Sequence, residues 1–215
     1  LILPLRNPSR APRLPGCEPR PFSYGDFELA REALQGVDAL FMVSAAESPT
    51  REQEHLTLVR AAQAAGIQHL VYLSFAEARP DSTFTLARTH AITEEAIRRS
   101  TMKHTFVRDN FYSELMARLA DAEGVICGPA EQGRVACVAQ RDAAQAVANI
   151  MADIAAGGTQ HQGRTYTLTG NQSLSMEDIA RILTTCTGKP HRFHNETIAE
   201  AFASRRAAYP DTPDW

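Results

Sequence analysis

Short apolar runs alternate with amphipathic helical stretches along this 215-residue chain. Two runs are especially clear, at residues 37–43 and 69–74, and an amphipathic stretch follows each of them. Such runs predict buried strands, and strands that alternate with helices predict a parallel sheet joined by crossover helices. The sequence therefore predicts an α/β fold.

The same signals place the other elements. Further strands are predicted at residues 1–6, 19–24, 105–108, 135–139 and 165–169. Helices are predicted at residues 28–35, 50–65, 85–99, 141–154 and 175–187. Gly36 and Gly66 are suited to end the first two helices, and Ser175 with Asp178 is suited to begin the last one.

Composition excludes several classes of function. The chain is 44% apolar and 22% charged, which is typical of a folded globular protein. A net charge of −3 without a basic run argues against nucleic-acid binding, and no apolar stretch approaches the roughly 18 residues of a membrane span. The four cysteines are scattered without a Cys-x-x-Cys pair, which favours free thiols and a cytoplasmic location.

A parallel sheet places its ligands at the carboxyl ends of its strands. The residues that follow the predicted strands are Arg6 and Asn7, Asp26 and Phe27, residues 44–46, Ser74 and Phe75, and residues 108–110. We expect the functional residues to lie among them.

Five segments carry a family resemblance. In chain order they are GVDALFMVSAAES, AAQAAGIQHLVYLSF, HAITEEAIRRS, HTFVRDNFYSE and YTLTGNQSLSMEDIARILTTCTGKP. Together they resemble the NmrA-like family of atypical short-chain dehydrogenases/reductases, above all its quinone-reductase-like, NAD(P)H-dependent members. The resemblance implies a doubly wound, Rossmann-like sheet. It places a dinucleotide-binding domain at residues 1–157 and a small substrate region at 158–215, intertwined in one structural unit.

The family's glycine-rich turn, which holds the pyrophosphate, has no counterpart in this sequence. The chain begins inside an apolar run at Leu1, and alignment to the family predicts that its first strand, turn and first helix are missing. That strand is central in the family's sheet, so we expect its two neighbours either to expose unpaired edges or to close over the gap, at a cost in stability. We also expect weak nucleotide binding by this piece alone.

The resemblance assigns cofactor contacts to the first strand ends. Arg6 would meet the 2′-phosphate of the adenosine ribose, with Asn7 adding a hydrogen bond, which favours NADPH over NADH. A solvated surface arginine is the alternative. Asp26 would accept a hydrogen bond from the adenine while Phe27 packs on the ring, although Asp26 is also suited to cap a helix. Small residues at Ser44 and Ala45 would let the backbone approach the cofactor.

The catalytic residues depart from the superfamily pattern. In its Tyr-x-x-x-Lys pair the phenol acts as the acid, but Leu86 stands in the tyrosine position and His90 in the lysine position. The resemblance implies that His90 contacts the ribose or nicotinamide, with Glu94 one helical turn away to orient it. The alternative is a half-buried histidine that Glu94 merely satisfies.

The substrate is expected to be a quinone or a similar conjugated acceptor, because its reduced form needs no acid from the protein. Ser74 lies near the superfamily's serine position and would contact the cofactor, and Phe75 would form an apolar pocket wall. Asn110, Phe111 and Tyr112 would line the pocket, or else begin a helix and anchor it to the core.

Two functions fit these residues. The first is an NADPH-dependent oxidoreductase, and the second is a non-catalytic redox sensor that binds NAD(P) and passes the signal to a regulatory protein partner. A homodimer is also compatible with this fold. His191, His194 and Glu196 lack the spacing of a metal site, and the sequence has no G-x-S-x-G motif for hydrolysis.

Overall fold

A four-stranded parallel sheet forms the centre of the computed structural model, which describes residues 1–210. The strands are β1 (Ile2–Leu5), β2 (Glu18–Pro21), β3 (Ala39–Met42), β4 (His69–Phe75), β5 (Lys103–Asp109), β6 (Val125–Gly128), β7 (Arg134–Val135), β8 (Arg164–Thr167), β9 (Leu174–Ser175) and β10 (Arg192–Asn195). The helices are α1 (Phe27–Ala33), α2 (Arg51–Ala65), α3 (Thr85–Arg99), α4 (Ser113–Met116), α5 (Gln140–Ala155), α6 (Met176–Thr187) and α7 (Ile198–Ala208), with a 3₁₀ turn at Pro8–Arg10.

The central sheet has the strand order β3-β4-β5-β8, and all its pairs are parallel. Leu70, Tyr72 and Phe106 on its two middle strands are fully buried against α2 and α3. A continuous apolar run such as HLVYLSF is typical of a strand that is covered on both faces. The predicted α/β fold with parallel strands is confirmed.

The strands β1 and β2 form a separate parallel pair. Within residues 1–210, β1 pairs only with β2 and β3 pairs only with β4, so one edge of each carries no strand partner.

The contacts divide the chain into two interleaved units. The first unit contains residues 1–109 and 145–167, and the second contains 110–144 and 168–215, of which the structure describes the part up to 210. This division does not follow the predicted sequential boundary after residue 157, because β8 returns to pair with β5. The extent of a substrate region at 158–215 stays a prediction.

The second unit has its own small core. β6 pairs with β10 in parallel and β7 with β9 in antiparallel, and Met116, Ile126, Ile179 and Ala180 are buried together. The predicted helix start at Ser175 is confirmed, since its side chain and that of Asp178 each bond to the other residue's backbone amide. No helix within residues 1–210 is long and apolar enough to cross a membrane.

Most predicted helices agree with the structure, whereas the strands of the second unit agree less well. Helix α3 has the predicted bounds, and α2 ends at Gly66, whose φ of +86° is a left-handed conformation that favours glycine. The strand predicted at 135–139 is wrong beyond Val135, because Val138 makes only an isolated bridge to Tyr112. The elements β6, β9, β10, α4 and α7 have no counterpart among the predicted ones.

Candidate functional site

The carboxyl edge of the central sheet holds two buried polar networks, and both include residues of α3. The first joins His90 to Arg51, Tyr72 and the loop after β3. The second surrounds Glu94. Ser44 and Ala45 follow β3, and Ser74 and Phe75 end β4, so the parallel register brings these predicted residues to one edge of the sheet.

Both ring nitrogens of His90 have buried partners. Nη2 of Arg51 lies 3.2 Å from Nε2, and the hydroxyl of Tyr72 lies 2.9 Å from Nδ1. A guanidinium can only donate, so Nε2 accepts and Nδ1 carries the hydrogen that is donated to Tyr72. The ring is only 8% exposed, and its hydrogen-bonding capacity is taken up inside the protein.

A second histidine, His55, holds the loop after β3. The backbone N–H of Ala45 donates to Nε2 of His55 at 2.8 Å, so Nδ1 is the nitrogen that donates to Oγ1 of Thr93, also at 2.8 Å. Nε of Arg51 donates to the carbonyl oxygen of Ala45 at 3.0 Å. The N–H and C=O groups of Ala45 are therefore both bound by side chains of α2.

The two histidines of the first network resist protonation. Burial lowers the pKa of His55 and of His90 to about 3 each, and the positive charge of Arg51 reinforces both shifts. Arg51 is 4% exposed, and burial lowers the pKa of its guanidinium too. Burial likewise raises the pKa of the Tyr72 hydroxyl. At neutral pH both imidazoles and the phenol are uncharged.

Glu94 is the charged centre of the second network. Its carboxylate accepts from Nε and Nη2 of Arg108 at 2.8 and 2.7 Å, from the Ser74 hydroxyl at 2.7 Å and from Arg98 at 2.7 Å. Burial raises the pKa of Glu94, but the hydrogen bonds from Arg108 and Ser74 and the positive charges outweigh burial and leave the pKa below its ordinary value. Ser74, 1% exposed, is fixed by this carboxylate.

The predicted pairing of His90 with Glu94 is corrected by these contacts. The two residues lie one helical turn apart on the buried face of α3, but His90 bonds to Arg51 and Tyr72 while Glu94 bonds to Ser74 and the arginines. Arg108 offers Glu94 two charged donors, which a neutral imidazole cannot match. Whether His90 also contacts a cofactor stays a prediction.

Aromatic rings lie beside His90. The centroid of Phe75 is 5.2 Å from that of Phe84 and 6.2 Å from that of His90, and Tyr72 lies 5.6 Å from His90 on its other side. Phe84, which precedes α3, is 37% exposed. An apolar wall at this edge is what the sequence predicts for Phe75.

Arg6 and Asn7 follow β1. Arg6 is exposed, and no ion pair found within residues 1–210 involves its guanidinium. Burial raises the pKa of Tyr24 to about 12, while the positive charge of Arg6 opposes that shift, so the two residues are close. The side-chain oxygen of Asn7 accepts from the amide and the hydroxyl of Ser9 at 3.1 and 2.6 Å.

Asp26 caps a helix, as the sequence allowed. Its carboxylate accepts from the amide of Leu29 at 3.0 Å at the start of α1, and Phe27 packs against the main core. An adenine contact by either residue stays a prediction.

The remaining predicted residues lie in the second unit. The side chain of Asn110 accepts from the amide of Phe111 at 2.8 Å, Phe111 packs against the core of that unit, and Tyr112 precedes α4. These contacts match the alternative of a helix start with core anchors. Their role as pocket residues stays a prediction.

The sequence analysis missed Arg51, His55 and Tyr72. A signal for the first two was present, because positions 51, 55, 58 and 62 recur at the helical spacing of the buried face of α2, where Leu58 and Ala62 also lie. A charged residue and a histidine on such a face indicate a specific buried polar contact.

Parallel strands with polar residues gathered at their carboxyl edge define a Rossmann-like α/β protein, a class in which dinucleotides bind at that edge. The comparisons with known proteins are more specific. The family profile described as "NmrA-like family" matches residues 22–209, and the chain belongs to this family.

Similar proteins include several reductases. Quinone oxidoreductase 2 of Escherichia coli is 32% identical over 98% of this chain and 74% of its own length. The structure of an NADPH-dependent quinone oxidoreductase from Escherichia coli with NADPH has a TM-score of 0.87 at 31% identity, over 99% of this chain and 74% of that one. Triphenylmethane reductase from Citrobacter sp. with NADP(H) has a TM-score of 0.84 at 28% identity, over 99% and 75%. The transcriptional regulator NmrA with NADP, 17% identical with a TM-score of 0.70 over 86% and 61%, shows a likeness of fold alone.

Replacing Glu94 tests the second network. Glu94→Gln removes the negative charge and leaves two guanidinium groups beside a buried amide, so we expect a loss of about 2 to 3 kcal/mol in the free energy of unfolding. This is below the cost for a fully buried pair, because water reaches both arginines. Glu95→Gln on the same helix, with its side chain 49% exposed, should change stability by less than about 0.5 kcal/mol. Equal effects in urea denaturation would contradict the assignment.

The two buried histidines predict an acid-sensitive fold. Their folded pKa of about 3 lies below the ordinary 6.5, so the unfolded chain binds more protons between these values and stability falls as pH decreases through this window. Each histidine contributes up to about 1.4 kcal/mol per pH unit there. We expect His90→Gln to show a shallower decline than the wild type in denaturation measured between pH 6 and pH 4. Parallel declines would refute the neutral, buried state of His90.

Proposed function

We propose that this protein is an NADPH-dependent oxidoreductase that transfers hydride to a quinone or a similar conjugated acceptor. The observation that carries the proposal is the state of His90, which is neutral and bound on both ring nitrogens at the position of the superfamily's lysine. The similar quinone and triphenylmethane reductases support the same class of reaction.

The residues near His90 do not supply an acid at neutral pH. Leu86 stands where the superfamily has its phenol, and the Nδ1 hydrogen of His90 is committed to Tyr72. Burial holds the proton of Tyr72 more tightly than usual. A ketone would need a proton as it accepts hydride, whereas a reduced quinone is a stabilised anion that water can protonate. The surroundings therefore favour quinone-like acceptors.

The described residues fit the adenosine end of NADP(H). Arg6 is exposed at a strand end without a carboxylate ion-pair partner within residues 1–210, as a contact for a 2′-phosphate requires. Small residues at Ser44 and Ala45 leave room near β3. No glycine-rich turn occurs in the sequence, so we assign no residue to the pyrophosphate. When bound, NADPH supplies the hydride; the protein orients it and excludes water with apolar residues such as Phe75.

NADPH oxidation tests the reaction directly. We expect the purified protein to bind NADPH weakly, since the sequence has no glycine-rich turn for the pyrophosphate, and to accelerate its oxidation by 1,4-benzoquinone. Binding is measured by the change in nucleotide fluorescence. A simple ketone should give no acceleration. NADPH binding without oxidation by any quinone, at nucleotide concentrations that saturate the protein, would contradict the enzyme function and favour the redox sensor.

Arg6 determines the preference for NADPH in this proposal. Arg6→Glu places a negative charge beside the 2′-phosphate, so the Kd for NADPH should rise about tenfold or more while that for NADH stays within about twofold. Arg99→Glu, which makes the same charge change on an exposed residue at the end of α3, should leave the NADPH/NADH ratio unchanged. An unchanged ratio in Arg6→Glu would mean that Arg6 is a surface arginine.

A homodimer, a regulatory protein partner and a cytoplasmic location stay predictions.

A further inference from the structure

One turn of helix α2 uses two buried polar side chains to hold the backbone of a single residue, Ala45. Arg51 and His55 are four residues apart and therefore lie on the same face of α2. The first binds the carbonyl oxygen of Ala45 and the second binds its amide, at 3.0 and 2.8 Å. We use the name Ala45 clamp for these three residues.

The clamp buries a charged side chain in order to bond the backbone groups of one residue, which costs free energy. A loop at a sheet edge ordinarily bonds its backbone to water, at no cost in buried charge. Here the guanidinium of Arg51 is 4% exposed, and its hydrogen-bond acceptors, the carbonyls of Ala45 and Leu86 and a ring nitrogen of His90, are all neutral. A buried cation with neutral acceptors is unfavourable for stability alone. Its position is therefore better explained by the orientation that it imposes.

The clamp also ties the loop to α3. Arg51 continues to Leu86 and His90, and His55 continues to Thr93, so three residues of α3 hold the side chains that hold Ala45. Each donor and acceptor in this chain of bonds is fixed, because a guanidinium and a backbone N–H can only donate. The loop after β3 and the predicted cofactor residue on α3 thus keep one relative arrangement.

We propose that Arg51 and His55 are positioning residues that fix the backbone on both sides of Ala45, so that the loop after β3 meets the reduced nucleotide in one orientation. This inference rests on the proposed function. Because the N–H of Ala45 is already bonded to His55, the backbone N–H groups left to contact the nucleotide at this strand end are those of the neighbouring Ser44 and Ala46. Neither Arg51 nor His55 touches the nucleotide in this proposal.

Paired substitutions at His55 separate positioning from packing. His55→Gln keeps an oxygen that can accept from the Ala45 amide where Nε2 did, whereas His55→Phe keeps a ring of similar size without an acceptor. His69→Phe is the matched control, because His69 is a buried histidine bonded to Thr105 at the opposite, amino end of β4. Arg51→Lys keeps the charge but not the planar fork that reaches three acceptors.

Two measurements are made on each variant. Hydrogen exchange of the Ala45 amide reports the clamp without any nucleotide, and exchange of the Val71 amide in the buried strand β4 reports whether the fold is intact. The Kd for NADPH, from nucleotide fluorescence, reports the effect on binding. The KM for quinone, measured at saturating NADPH, separates cofactor positioning from substrate binding.

We expect His55→Phe to speed exchange at Ala45 about tenfold or more, with Val71 unchanged, and to raise the Kd for NADPH about tenfold, which corresponds to about 1.4 kcal/mol. His55→Gln should restore both values to within about threefold of the wild type. Arg51→Lys should weaken NADPH binding with little change in the KM for quinone.

Other outcomes overturn the inference. Faster exchange at Ala45 with an unchanged Kd would make the clamp purely structural, and an equal rise in Kd for His69→Phe would reduce the effect to general destabilisation. If the wild type binds no NADPH, the proposed function fails and the nucleotide role of the clamp fails with it, while exchange at Ala45 still decides whether the clamp itself exists.

Discussion

The buried guanidinium of Arg51 holds the carboxyl edge of the sheet together. It reaches a loop carbonyl, a helix carbonyl and an imidazole, and so connects the end of β3 to α3 without a carboxylate. Burying a cation in this way requires every donor to find an acceptor, and the acceptors here are neutral. Burial keeps both neighbouring histidines uncharged, and the positive charge of Arg51 acts in the same direction.

One helical turn beyond His90 on α3, the buried charge is negative instead of positive. Glu94 is as deeply buried as Arg51, but its charge is balanced by two arginines and a hydroxyl. The ion pairs of Glu94 and the network around Arg51 thus share one helix while remaining chemically separate. Among the described residues, His90 and Tyr72 near Phe75 hold their protons at neutral pH in bonds within the protein, which suits an acceptor that becomes a stable anion on reduction.

Local signals explain why much of the fold could be predicted. Helix α3 and the cap of α6 depend on residues close in sequence, and their patterns are strong. The strands β6 and β10 are short and pair across more than sixty residues, so no local pattern marks them. Helix α7 carried a readable signal, the capping pair Thr197 and Glu200.

The site was predicted less completely than the fold. The strand ends identified the edge, but the partners of His90 and Glu94 depend on three-dimensional competition among donors. Spacing alone suggested that the two residues pair with each other. Arg51 and His55 are polar residues on the buried face of α2, and hydrophobic periodicity, which marks such a face, does not identify them.

The pairing of β8 with β5 has a consequence for how the chain forms on the ribosome. Strand β5 ends at Asp109, but its neighbour β8 ends at Thr167, and residues 110–144 of the other unit lie between them in the chain. At about 5 to 20 residues per second, the growing polypeptide spends roughly 3 to 12 seconds with that side of β5 bare. During translation this row of amide and carbonyl groups has no partner strand and is open to pairing with other chains.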